Sequence, residues 1–276
     1  MIYEWRPNSD VHNFGDYLGR LLIPPRQLDF FENNESVLFA PIGSVINNAV
    51  IEHAIWLGKT PVFANCGWDG SELNPELVAK AIFVGCRGPV TQKELRKFGV
   101  VVQITGDPGY GVRKFISKIP KTNKILLIPH GTDQKSFQMS KPSEISEIAT
   151  PFVSDFTDFV ELAHKISSSK FAFTGAMHAA IAAHALGVPF GLYKSSSAGF
   201  VDHPLKWNDW LGSVNLGDPF FTPNLSEAQN WYEQVVSRTF FSKQQLQKRE
   251  FIKRYSRKSL KRVFDSVQDT IQQRID

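Results

Sequence analysis

The chain has 276 residues, 42% hydrophobic and 21% charged, enough for one large or two small globular domains with sizeable cores. That apolar content, without a sustained heptad, excludes a disordered or coiled-coil protein. The formal charge of +4 is uneven: ten Lys or Arg face a single acid, Glu250, between Arg238 and Arg262, so that stretch carries about +9 and the rest about −5.

In chain order, the first twenty residues contain Glu4, Asp10 and Asp16 and no apolar run, and read as neither signal peptide nor transit sequence. Asn13-Phe14-Gly15-Asp16 reads as a turn opening a helix, with Asp16 as a cap. Short apolar runs then alternate with helical spacing, the pattern of a parallel α/β sheet. Strands are predicted at Val37 to Pro41, Pro61 to Asn65, Ala81 to Gly85 and Val100 to Ile104, with helices at Ile46 to Leu57 and Val90 to Phe98, the latter opened by Pro89. Cys66 and Cys86 lie in apolar stretches and cannot build a disulfide framework; they read as reduced, buried thiols of a cytoplasmic protein.

A second series has strands at Ile125 to Pro129, Phe171 to Phe173 and Phe190 to Tyr193, and helices near Phe156 to Ser167 and Met177 to Leu186. The stretch from Phe171 to Tyr193 is broken by His178, His184, Gly187 and Pro189, so it reads as strand, helix and strand rather than a membrane span. The architecture expected is two doubly wound, Rossmann-like lobes, residues 1–118 and 119–225, followed by a helical segment at 226–276. The break falls between Lys114 and Lys124, and Gly131 to Ser146 reads as a mobile loop. In the C-terminal segment Phe251, Tyr255, Leu260, Phe264, Val267 and Ile271 keep helical spacing amid Lys and Arg. That helix either docks by its apolar face or attaches peripherally to an anionic membrane; nucleic acid is not expected as a partner.

Ligands of open α/β sheets gather beyond the carboxyl ends of strands, so residues there are the candidates. His178, in the first turn of a helix after Gly175, is the foremost: free N–H groups and the helix dipole favour an anion at that point. The alternative is a histidine packed in an apolar helix. His178 and His184 lie about 240° apart around a helix and cannot share a metal, and no CxxC or HExxH occurs; no metal is expected, and His184 reads as structural. Arg87, before Gly88-Pro89, would clamp a carboxylate or phosphate, or pair with a carboxylate such as Glu94. Lys194 is either a phosphate ligand or a solvated strand end. Gly106-Asp107-Pro108-Gly109-Tyr110-Gly111 matches neither the Walker pattern nor GxGxxG and reads as a tight turn. No GxSxG elbow supports a serine nucleophile.

In order along the chain, Asn13-Phe14-Gly15-Asp16, Ile42-Gly43-Ser44, Arg87-Gly88-Pro89-Val90-Thr91, Gly106-Asp107-Pro108, Ile128-Pro129-His130, the block from Gly175-Ala176-Met177-His178 to Pro189, and Lys206-Trp207-Asn208-Asp209-Trp210-Leu211 resemble the polysaccharide pyruvyl transferase family. The resemblance spans about residues 10 to 215. It implies a fold like that of GT-B glycosyltransferases and transfer of a pyruvyl unit from phosphoenolpyruvate to a sugar of a cell-surface polysaccharide or its lipid-linked precursor, as a ketal. It further implies that no metal or organic cofactor is obligatory; the cytoplasmic location read from the cysteines would lie at the inner face of the cell membrane if the basic helix attaches there. His178 would be the acid or base, Arg87, Lys194, His130 and Gly175 the donor site, and Asn13, Asp16 and Ser44 the acceptor side. Ala176 and Met177 depart from the Arg or Ser, then Leu, that many relatives carry there. A GT-B-type glycosyltransferase using a nucleotide sugar, or a non-catalytic glycan-binding relative, are the alternative readings.

Overall fold

The computed structural model describes residues 1–117, 119–139, 141–195 and 203–237, with Asp265 and Asp269. Two parallel sheets organise the chain. The first orders the strands Val37–Ala40, Thr60–Phe63 and Ile82–Phe83 side by side, in the register Leu38 to Pro61 and Val62 to Ile82. Single bridges between Cys66 and Cys86, and between Cys86 and Ile104, extend it at the carboxyl end. The second has five strands in the spatial order Phe221–Thr222, Phe190–Tyr193, Phe171–Thr174, Ile125–Ile128 and Glu147–Ile148, every neighbouring pair parallel. The strand predicted at Val100 to Ile104 is corrected to one bridge at Ile104. Val101 points into solvent there, 84% exposed, so the run lacks the two-sided burial that a central parallel strand needs.

All four residues of Val37–Ala40, Phe171–Thr174 and Phe190–Tyr193 are buried, which is why these strands read as continuous apolar runs. Between Phe171–Thr174 and Phe190–Tyr193 lies the helix Met177–Leu186. It is buried on nearly all sides, as its five alanines and two large aliphatics allow. Gly187, at φ 71°, ends it in the left-handed conformation that glycine adopts without strain.

The chain crosses from the first sheet to the second through a 3-10 helix, Pro108–Lys114, which packs on Met177–Leu186 and on the N-terminal helix Phe14–Leu22. The expected tight turn is therefore a helix start, with Asp107 as its cap accepting from Gly109 N at 2.8 Å. One apolar cluster contains Phe39 and Val62 of the first sheet together with Leu126, Ile128 and Ala172 of the second. The loop expected between Gly131 and Ser146 instead holds a short helix, Gln134–Met139, anchored where the Phe137 ring meets that of Tyr193. The basic helix expected at the C-terminus lies outside the described residues except for 265 and 269, where Asp265 accepts from Gln27 Nε2 at 2.5 Å. Among the described residues no helix is long and apolar enough to cross a membrane.

Candidate functional site

In the five-stranded sheet the chain runs from Ile125–Ile128 to one neighbour, Glu147–Ile148, then returns to the other side at Phe171–Thr174. Connections leaving two adjacent parallel strands in opposite directions open a crevice beyond their carboxyl ends. A cavity of about 220 Å³ lies there. His130 and Gly131 follow the first of these strands into its wall, and Ala176, Met177, His178 and Ala179 follow the second. Asn13, Phe14 and Asp16 enter from the N-terminal helix, and Gly43, Ser44 and Val45 from the exit of Val37–Ala40. His203 and Lys206 close the far side, with Trp5 and Asp69.

His178 is the second residue of its helix, whose N-cap, Ala176, supplies no side-chain hydrogen bond. The ring lies against Gly15 so closely that any Cβ there would run into it. Glycine is therefore required at the start of Phe14–Leu22 by the histidine of another segment. His178 Nε2 points to Asp107 Oδ2 at 3.7 Å, within ion-pair reach and beyond hydrogen-bond length, and neither atom has a hydrogen-bond partner among the described residues. Burial pushes the Asp107 carboxyl up, but the nearby positive charges of His178 and Arg87 and the Gly109 N–H together hold it below the usual carboxylate range.

Asp16 is not the cap expected of it. Asn13 caps the helix, accepting from Gly15 N at 2.9 Å, and Asp16 turns inward, where its Oδ1 accepts from Trp5 N at 3.1 Å. Burial raises its carboxyl to about 6 against the opposing charge of His178. A carboxyl group that titrates near neutrality beside an imidazole can hold or release a proton at working pH.

Arg87 is fully buried and absent from the cavity wall. Its Nε donates to Asp209 Oδ2 at 3.1 Å, and its Nη1 donates to Ser44 Oγ at 2.8 Å and lies 3.4 Å from Met177 Sδ. Asp209 also accepts from Thr91 N and Thr91 Oγ1, at 2.8 and 2.7 Å. The ion pair weighed for Arg87 from sequence is thus real, with Asp209 rather than Glu94 as partner. Gly67 leaves the space its guanidinium occupies. Arg87 accordingly supports the cavity from behind, through Ser44 and Met177.

Lys194 is exposed at the end of its strand and is not on the wall. Nor is Gly175, which makes room for the Tyr193 ring. The Tyr193 hydroxyl donates to Asp133 at 2.9 Å and accepts from His130 N at 2.6 Å, fixing the loop that carries His130. Burial, helped by the nearby Lys206 charge, pushes His130 down to about 4, so it faces the cavity as a neutral ring rather than as a cation. His184 is structural, its Nδ1 2.5 Å from the buried Tyr110 hydroxyl. The structure thus gathers His178, His130, Asn13, Asp16 and Ser44 at one cavity and leaves Arg87, Lys194 and Gly175 off its wall. Sequence reasoning did not assign Lys206, His203, Asp107 or Asp209, although Lys206, Asp107 and Asp209 lie in runs already singled out.

Cys66 and Cys86 are free and buried; burial pushes both thiols up, that of Cys86 to about 12, so neither is a reactive thiolate.

Residues 76–197 match the family model of polysaccharide pyruvyl transferase. The match takes in Arg87, Asp107, His130, His178 and Lys194, bears out the resemblance read from the sequence, and identifies a family of transferases. No curated protein matches. An uncharacterized protein from Klebsiella pneumoniae is a similar solved structure, at 16% identity and a TM-score of 0.45, over 67% of this chain and 80% of that one.

Proposed function

With the polysaccharide pyruvyl transferase match as premise, we propose that this chain moves the pyruvyl unit of phosphoenolpyruvate onto two hydroxyls of a sugar in a polysaccharide or its lipid-linked precursor, forming a ketal. The observation that carries the reading is the meeting, in one cavity at the sheet's switch point, of His178, the protonatable carboxyl Asp16 and the cation Lys206.

The donor bears a phosphate and a carboxylate. Its anionic groups suit the N-terminus of Met177–Leu186, which has no side-chain cap, and the ammonium of Lys206 across the cavity. In this reading Lys206 takes the role expected of Arg87 and Lys194. A proton is delivered to the donor's methylene carbon, leaving an oxocarbenium-like carbon that the first sugar hydroxyl attacks while losing its own proton. The second hydroxyl then displaces phosphate and gives up its proton, closing the ketal. His178 serves these transfers as acid and base. Asp16, beside it, orients the acceptor with Asn13 and Ser44, and at its raised affinity for protons supplies a second exchange site. No cofactor enters the scheme.

Phosphate release from phosphoenolpyruvate should require both the protein and a hexose-containing acceptor. It should fall by about 10²- to 10⁴-fold in His178→Ala, with the melting transition of the protein retained. Melting shifts with phosphoenolpyruvate and with a nucleotide-sugar panel supply the second readout. Stabilisation by a nucleotide sugar alone would replace this reading with a glycosyltransferase, and glycan binding without turnover of any donor would replace it with a binding protein.

A further inference from the structure

Nε2 of His178 and Oδ2 of Asp107 are both buried, face each other at 3.7 Å, and have no hydrogen-bond partner among the described residues. From this pair we infer that Asp107 is a positioning residue for His178: it fixes the neutral ring as the Nε2–H tautomer and leaves Nδ1 as the nitrogen that exchanges protons. For the reaction this rests on the function proposed above; for the tautomer it does not.

The carboxylate is itself fixed. Asp107 is fully buried, and its Oδ1 is committed to the Gly109 N–H at the start of Pro108–Lys114. That leaves Oδ2 as an anionic acceptor in a place closed to solvent. Two acceptors facing each other there would both go unsatisfied, so the imidazole nitrogen opposite must carry the hydrogen. In a neutral histidine the other nitrogen then holds the lone pair. That side of the ring lies against Gly15, next to Asp16, at the cavity. When His178 takes up a proton the pair becomes an imidazolium and a carboxylate, and a short closure of the gap gives a charge-assisted hydrogen bond. Asp107 is not on the cavity wall, so it acts on the reaction only through the ring.

Asp107→Asn separates this role from folding. The amide oxygen can still accept from Gly109 N–H, while its NH2 group presents a donor where Oδ2 stood. Nitrogen-15 spectra of histidine-labelled protein, with the His178 signals assigned from His178→Gln, should show the Nε2–H form in the wild type and a switch to Nδ1–H in Asp107→Asn. An Nδ1–H wild type overturns the inference by itself, as does an unchanged tautomer in the variant. In the phosphate-release assay Asp107→Asn should lower kcat by about 10²-fold or more with KM nearly unchanged, the pattern of a misplaced tautomer. A raised KM at intact kcat would overturn the catalytic half. Absence of phosphoenolpyruvate turnover in the wild type would remove the proposed reaction and leave the tautomer result to decide the pair.

Discussion

Two buried carboxylates, Asp107 at the exit of the first sheet and Asp209 in the helix Pro204–Ser213, each face a basic side chain distant in sequence. Asp209 is saturated: it takes Arg87 Nε, Thr91 N and Thr91 Oγ1, all within 3.1 Å. Asp107 is half-satisfied, with one oxygen on Gly109 N and the other 3.7 Å from His178. A saturated buried pair is rigid and costly to open. A half-made one can close when charge appears, and it stands beside the cavity, whereas Arg87 touches the cavity only through Ser44 and Met177. Position along the chain made Arg87 look like a ligand; its full burial and its ion pair with the saturated Asp209 make it a support.

The contrast is broken most directly by removing each carboxylate. Asp209→Ala strands a buried guanidinium and should cost about 3–5 kcal/mol, lowering the melting temperature by about 10 °C. Asp107→Ala should cost less, because it strands an imidazole N–H rather than a guanidinium charge. Equal losses in urea titrations of the two variants would abolish the distinction.

Next in size is Asp16. Its folded-state value, raised by burial from 3.8 to about 6, means that the folded protein holds a proton that the unfolded chain has released. Its contribution to stability is complete below pH 4 and is lost as pH rises through 6, a difference of about 3 kcal/mol. Asp16→Asn should therefore stabilise the protein at pH 8 relative to wild type and have little effect at pH 4. Parallel stability curves for the two proteins would show that Asp16 is not held in a desolvated state.

Gly15→Ala comes third. Its Cβ must displace the His178 ring, at about 1–3 kcal/mol, and the tautomer signature of His178 should be disturbed with it. A variant as stable as wild type with an unaltered His178 spectrum would mean that the ring does not lie against Gly15. The smallest effect is expected for Tyr110→Phe, which removes the hydroxyl bonded to His184 Nδ1. A loss of about 1 kcal/mol with unchanged turnover would keep His184 apart from the cavity; loss of turnover would bring it in.

Much of this was legible from local sequence. Continuous apolar runs marked the strands at 37–40, 125–128, 171–174 and 190–193, because a strand covered on both faces has no polar side to show. Alternating elements announced a parallel sheet, and strand exits pointed to His178, His130 and Ser44. Val100 to Ile104 misled because an apolar run reports composition and not whether a neighbouring strand reaches it. Gly131 to Ser146 misled because its polar residues hid Phe137, which meets Tyr193.

The amino-acid sequence alone determined the α/β class, the strand-exit candidates and the resemblance that the family model matches over residues 76–197, all properties of patterns a few residues long or of motifs in order. Which candidates share a wall was decided only by tertiary structure. Arg87 meets Asp209, 122 residues away, and His178 meets Asp107 and Gly15 from two other segments. Hydrogen bonds and burial depend on distance in space. Nothing local in the sequence says that one buried carboxylate is fully partnered while the other is left facing the histidine.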